Sequence, residues 1–440
     1  MRKLVHLLLV VTLVFSLLPA SSVLAEAPAA PQDQQEDSNT PADANQGTVE
    51  QNSGNDPLNL QVRAAVLMEV ETGQVLYASN GDVSLPPASV TKVMTMLIIM
   101  EAIEKGHASW DDIVIASEKA HKMTGSRVFL ANGEKATLRD MLQAVAVYSA
   151  NDCAVALAEH IAGSEDGFVN LMNDKARELG LRNTRFLNVT GLPYIEQYPN
   201  FNEPDGHTMS AMDIAIISRE LVKNHPGILE FTSTKFATFQ NGVDMPTRNN
   251  LLLRHDWIDG LKTGFTDEAM NCLSATGEKD GMRLISVILG AETDRIRQDE
   301  TVRLFNYGFE KFAKRTMVRG KDLVTVAKID KGKERELTLL AAENLDIVVE
   351  KGLEEEYKQV IEVQESIIAP IEANAVLGKV FYERDGVMVG KAVNLVAQDD
   401  VEKGGFFRLL FRGIKDTFFG IFEGIADKIV SIFTKEGADK

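Results

Sequence analysis

The sequence is short of cysteine: Cys153 and Cys272 are the only two in 440 residues. That excludes the disulfide-dense scaffolds with which small secreted domains make up for thin cores. Two buried free thiols acting as small apolar side chains are the expected state, with a single bridge between them as the alternative. Metal-ligand spacing is also missing. The seven histidines form no HExxH motif and the cysteines no CxxC, so neither a metal nor another cofactor is expected. Positive charge is in deficit, with 46 Lys and Arg against 64 Asp and Glu and a formal charge of −18. A surface so acidic argues against nucleic acid as a partner.

What is present is ordinary for a globular chain, 45% apolar and 25% charged, with length for two or three domains. Residues 1–25 read as a signal peptide, with basic Arg2 and Lys3, an apolar run from Leu4 to Leu18, and small residues before an expected cleavage after Ala25. Export past the cytoplasm follows from that reading. Residues 26–57 are rich in Gln, Asn, Asp, Pro and Ala and read as a disordered polar linker. From residue 58 to about 315, a strand-turn-strand around Thr72-Gly73 leads into helical segments (Val90 to Lys105, Leu138 to Ala162, Gly167 to Glu178, Ala211 to Lys223) and strands such as "RLISVILGAE". That mixture predicts an α/β (α+β) domain, an antiparallel sheet with a helical cluster beside it.

Residues 316–400 alternate in short runs such as "DLVTVAKI", "LDIVVEK" and "YKQVIEVQ", which predicts a small all-β domain in a supporting role. In residues 401–440, Phe407, Phe411, Ile414, Phe418, Ile421, Ile425, Ile429 and Ile432 fall at steps of three and four, one apolar stripe on a helix. Charged residues interrupt it too often for a bilayer span. The expected arrangement is an amphipathic helix lying in the membrane interface, with packing against protein as the alternative.

Chemistry is concentrated in "LPPASVTKVMTML", where Ser89 and Lys92 stand three apart at a helix start and so share a face. A serine nucleophile needs a base, and lysine serves only when burial or a neighbouring cation lowers its pKa. Two further stretches carry Ser149-Ala150-Asn151 at a helix start and Lys262-Thr263-Gly264 on a probable edge strand. Each alone reads as a cap or a turn. Together and in this order, SxxK, SxN and KTG form the set found in penicillin-binding proteins and class A β-lactamases.

On these motifs the chain resembles the serine-type D-alanyl-D-alanine carboxypeptidases, the low-molecular-mass penicillin-binding proteins of peptidase S11 type. The likeness also takes in "AAVLMEVETGQVLY", "LGLRNTRFLNVTGLP", "HTMSAMDIAIISREL", "TRNNLLL" and "TDRIRQDETVRLFNYGFEKF", from roughly Val62 to Phe312, and the β-rich stretch and tail resemble the family's second domain and membrane anchor. The resemblance implies a serine β-lactamase/transpeptidase-like fold and an outer-face location on the cytoplasmic membrane. It implies that Ser89 attacks the penultimate D-alanine carbonyl of a peptidoglycan pentapeptide stem, that Lys92 takes its proton, and that Ser149 relays a proton to the leaving D-alanine. Asn151 is implied to bind the substrate amide, Lys262 and Thr263 to hold the terminal carboxylate, Gly264 to belong to the same strand motif, and the N–H groups of Ser89 and Phe265 to take the oxyanion. β-Lactams are the implied inhibitors. For Arg297, charge near the carboxylate and an ordinary surface ion pair stay equally open. Met270 departs from the family, which usually has glycine there; its side chain is expected to narrow the site.

Rival readings share the fold. A β-lactamase needs a deacylating base, and "LRNTRFLNVTGLP" contains no glutamate. A transpeptidase uses the same chemistry with an amine acceptor. A non-hydrolytic receptor for penicillin or muropeptides has no need of the intact catalytic set, and a membrane-surface adaptor explains only the tail.

Overall fold

The computed structural model describes residues 56–193 and 206–405. The expected signal peptide, nearly all of the linker and the tail helix beyond residue 405 lie outside the described residues. Strands β1 (Ala64–Glu69) and β2 (Val75–Ser79) form the expected hairpin. Two short ribbons follow, β3 (Ile113–Ile115) with β4 (Lys135–Thr137) and β5 (Phe236–Thr238) with β6 (Asp244–Pro246). The main sheet is completed by β7 (Ile258–Thr266), β8 (Met270–Lys279) and β9 (Met282–Ala291), in the order β2-β1-β9-β8-β7 with every pairing antiparallel.

Both faces of that sheet are covered, which is why its strands read as continuous apolar runs rather than alternating ones. On β9 the odd positions Ile285, Val287 and Leu289 join the helical core with Val93 and Leu97, while Leu284 and Ile288 join Leu304 and Phe305 of the helix Asp294–Lys311. β1 divides in the same way, Ala64 and Val66 one way, Ala65 and Leu67 the other. The two-residue period thus survives as a division of labour between two cores.

One sequence expectation needs correcting. Leu138 to Ala162 is not one helix but two, Leu138–Tyr148 and Asn151–Ala162. Ser149 between them is left-handed, at φ 67, which ends the first helix and turns the chain sharply before the second begins.

The following β domain comprises β10 (Phe312–Val318), β11 (Leu323–Lys328), β12 (Glu336–Ala341), β13 (Leu345–Glu350), β14 (Lys358–Val363), β15 (Val376–Arg384) and β16 (Val387–Ala397). β10 pairs with β13, and a second sheet runs β11-β12-β16-β15-β14. The Gln74 side chain locks onto β13, Nε2 donating to Val348 O at 3.0 Å and Oε1 accepting from Val348 N at 3.1 Å. Val401 and Lys403 bridge to Ile371 and Gly332, so the expected tail helix does not begin at residue 401. Among the described residues no helix is long and apolar enough to cross a membrane.

Candidate active site

The two prolines of "LPPAS" feed a backbone that is tighter than an ordinary helix start. Ala88 sits at φ 48, residues Ala88–Thr91 form a 3₁₀ turn, and the α-helix Lys92–Glu104 begins at the lysine itself. Ser89 is half-buried, and Lys92 is completely buried. Lys92 Nζ lies 2.9 Å from Ser89 Oγ, 2.7 Å from Asn151 Oδ1 and 2.9 Å from Thr190 O. Asn151 Nδ2 donates to Thr124 O at 2.7 Å, which fixes the amide so that its oxygen faces the lysine.

Burial holds the Lys92 pKa well below the usual lysine range, and the Lys262 charge lowers it further. Of the two causes the sequence allows, burial and a neighbouring cation, desolvation is the larger. A neutral amine has two hydrogens and one lone pair. Asn151 Oδ1 and Thr190 O accept both hydrogens, so the lone pair faces the Ser89 hydroxyl.

Lys262 is buried on β7, donates to Thr263 O at 3.0 Å, and has its pKa brought down to about 7 by burial and by the charges of Arg297 and Arg248. Arg297 is a buried group that ion-pairs with Asp294 and donates to Cys272 O at 3.3 Å, so its charge reaches Lys262 from inside rather than from the surface. β7 is the sheet edge, as expected for Lys262-Thr263-Gly264. Gly264 lies so close to the 3₁₀ turn that an added Cβ would stand 2.8 Å from Pro87 O and 3.1 Å from Ser89 N. That approach carries Phe265, the next residue, toward the Ser89 backbone. Ser149 Oγ is buried without a hydrogen-bond partner among the described residues, a polar atom whose desolvation cost a bound ligand would offset. Cys153 and Cys272 are both free and buried.

A half-buried nucleophile with a buried base, an orphaned hydroxyl, and an edge-strand lysine with two arginine charges acting on it make one anion-binding acyl-transfer site. The sequence model described as D-alanyl-D-alanine carboxypeptidase matches residues 49–293, and that described as penicillin-binding protein 5, C-terminal domain, matches residues 312–403. The chain belongs to the peptidase S11 family of D-alanyl-D-alanine carboxypeptidases. Within that family it is similar to DacF of Bacillus subtilis, 38% identical over 361 residues, covering 81% of this chain and 90% of that one. DacC of Escherichia coli is 33% identical over 357 residues, covering 79% and 86%. Among solved structures, penicillin-binding protein 5 of Haemophilus influenzae superposes with a TM-score of 0.71 at 32% identity, covering 79% of this chain and 99% of that one. Penicillin-binding protein D2 of Listeria monocytogenes, solved in its ampicillin-bound form, gives 0.51 at 32% identity, covering 58% and 99%.

Of the residues the sequence points to, the structure brings Ser89, Lys92, Asn151 and Gly264 into direct contact, with Ser149 beside Asn151 in the chain and Lys262, Thr263 and Phe265 on the same strand as Gly264. Sequence reasoning missed the Thr190 carbonyl. Asn188 Oδ1 accepts from the N–H groups of Thr190 and Gly191, at 3.0 and 2.8 Å, while Thr95 Oγ1 holds Val189 O at 2.8 Å, and so the Thr190 carbonyl is aimed at Lys92. A backbone acceptor leaves no side-chain signature. Glu165, which packs beside this loop, is spent on Val189 N at 3.1 Å and Lys119 Nζ at 2.8 Å. Away from Ser89, Glu101, Glu220 and His225 converge as possible metal ligands among the described residues, although Glu101 already pairs with Lys105 and Lys175.

Proposed function

We propose that the chain removes the terminal D-alanine from peptidoglycan pentapeptide stems through an acyl-enzyme on Ser89, and that β-lactams acylate the same oxygen. The observation that carries this reading is the Lys92 arrangement, a fully buried amine with a lowered pKa whose Nζ lies 2.9 Å from Ser89 Oγ and within reach of two further acceptors, Asn151 Oδ1 and Thr190 O. Lys92 takes the hydroxyl proton as Ser89 Oγ bonds to the carbonyl of the penultimate D-alanine. Negative charge moves to the carbonyl oxygen, where the N–H groups of Ser89 and Phe265 receive it. As the peptide C–N bond breaks, Ser149 relays the proton to the departing amine. Lys262 and Thr263 hold the terminal carboxylate, with Arg297 and Arg248 adding charge, and Asn151 takes the amide on the acyl side. Water then attacks the acyl carbonyl and regenerates Ser89.

The spent state of Glu165 favours a carboxypeptidase over a β-lactamase, since that carboxylate is not free to activate water. Export by the leader and peripheral attachment to the outer face of the membrane by residues 406–440 complete the proposal, on sequence pattern alone.

The test is intact mass spectrometry after brief exposure to penicillin, with Ser89→Ala alongside, followed by D-alanine release from a peptide ending in D-Ala-D-Ala. Wild type alone should gain the acyl mass and free D-alanine. Acylation without D-alanine release would instead point to a receptor or a transpeptidase.

A further inference from the structure

Two guanidinium groups flank the bend at Ser149-Ala150-Asn151, each stacked on an aromatic ring. Arg248 lies 4.3 Å from the Tyr148 centroid, and Arg127 lies 4.7 Å from that of Phe129. Neither has an acidic partner among the described residues, which is unusual in a chain with a formal charge of −18. The Arg248 charge acts on Lys262, so this guanidinium serves the end of the site that holds the terminal carboxylate. Arg127 is not among the charges acting on Lys262 and instead stands on the loop that packs against Asn151, the residue assigned to the acyl-side amide.

The loop carrying Arg127 is built onto the Asn151 helix. Asn151 N donates to Ser126 O at 2.7 Å, and Gly125 comes so near that an added Cβ would lie 3.0 Å from Asn151 Nδ2. Next, the buried Asp152 carboxylate accepts from Val128 N and Leu130 N, both at 3.1 Å, the two residues on either side of Phe129. Asn241 Nδ2 donates to Val128 O at 2.8 Å from the opposite side. Held this way, Phe129 takes φ 62, a conformation bulky aromatic residues rarely adopt. Its side chain is nevertheless 62% exposed, packed by the Arg127 guanidinium but absent from the hydrophobic core, so the strain adds little to the packing of the fold. Strained residues that their surroundings over-determine cluster at ligand clamps.

We propose that Arg127 and Phe129 form a subsite on the acyl side of the scissile bond that selects a carboxylate on the side chain of the residue immediately before D-Ala-D-Ala. The methylenes of that side chain lie on the exposed Phe129 ring, and the carboxylate pairs with the free edge of the Arg127 guanidinium. Arg127 Nη1 already donates to Met123 O at 2.8 Å, which steadies the fork. On so acidic a protein, an unpaired cation is also the feature that draws an anionic stem toward the site rather than away from it.

This subsite rests on the carboxypeptidase reading, and one experiment separates the two. D-Alanine release by the full chain is followed with Nα-acetyl-L-2-aminoadipyl-D-Ala-D-Ala and with the same peptide carrying a side-chain amide. Wild type should favour the acid peptide by roughly tenfold in kcat/KM, mainly through KM, and the preference should shrink with added salt. Arg127→Gln should bring the acid peptide down to the rate of the amide peptide, Arg127→Lys should restore part of the preference, and Phe129→Ala should raise KM for both. Equal rates in wild type, or a preference that survives Arg127→Gln, would overturn the subsite alone. Failure of wild type to release D-alanine from either peptide would overturn the carboxypeptidase reading, and the subsite with it.

Discussion

The two domains treat polarity in opposite ways. Among the described residues every buried lysine, arginine, aspartate, glutamate and histidine lies before Thr301, whereas the core of the β domain, from Val318 to Val401, is apolar except for the Tyr357 hydroxyl, which accepts from Glu350 N at 2.9 Å. Burying Lys92 and Lys262 costs stability unless something compensates, because a charge loses its water and a neutral amine has already given up its proton. A fold keeps such groups where chemistry needs them. The β domain carries no such cost and, through Gln74 and Val348, is fixed to the sheet that carries the site. What differs between the two regions is therefore where instability is tolerated, and each prediction below presses on one side of that difference.

The largest effect belongs to Lys92. Lys92→Met should slow acylation by penicillin by about 10²- to 10⁴-fold, measured by stopped flow, because Ser89 loses its base. In wild type the sign of the pH dependence follows from two lowered pKa values. Acylation falls as pH drops through the Lys92 value, where the amine takes up a proton. Lys262 keeps its charge below about 7 and loses it above, so KM for a free-carboxylate peptide should rise on the alkaline side. Lys262→Arg should flatten that limb. Between about 7 and the ordinary lysine value of 10.5 the unfolded chain binds the proton that folded Lys262 has released. Stability contributed at this position therefore increases with pH across that window, and Lys262→Met should remove the slope.

Backbone comes next. Gly191, at φ 71, is so close to the catalytic turn that an added Cβ would lie 1.9 Å from Ala88 O and 2.6 Å from Thr91 Oγ1. Gly191→Ala should cost about 3 kcal/mol or more and displace the neighbouring Thr190 carbonyl, so stability and acylation fall together. Leu339→Ala in the β domain should cost about 2–4 kcal/mol through a core cavity, yet leave penicillin acylation intact. Calorimetry with acylation assays on both variants distinguishes the cases; acylation lost in Leu339→Ala would mean that the β domain supports the site more directly than its apolar core suggests.

How much of this was legible in the sequence depends on what kind of atom does the work. Side chains announced themselves: Ser89, Lys92, Ser149, Asn151 and Lys262 sit in motifs whose spacing is itself the geometry. The sheet was legible as short apolar, β-branched runs bounded by turns, but which side chains face which core was not, because with both faces covered the period of two leaves no alternation in the sequence. The break at Ser149 was legible only in part: apolar periodicity runs through it, and it is the motif Ser149-Ala150-Asn151, read as a helix start, that marks where the second helix begins. Thr190 acts through a carbonyl that any residue has. Arg127 and Phe129 belong to no motif; what singles them out is tertiary, the Asp152 carboxylate pinning the backbone on either side of Phe129.

The smallest effect returns to the turn between β7 and β8, where Met270 pairs with Thr266 at φ 59. Glycine adopts that conformation without the left-handed penalty, but it also raises the entropy of the unfolded chain, and the two terms nearly offset. Met270→Gly should therefore stabilise by less than about 1 kcal/mol, seen as a small rise in thermal midpoint. Phe265 stands between this turn and the Lys262-Thr263-Gly264 segment, so KM for a D-Ala-D-Ala peptide should stay nearly constant. A clear fall in KM without a matching gain in stability would show that the methionine side chain reaches back over the substrate strand, and the departure from glycine would then be a feature of specificity rather than of the turn.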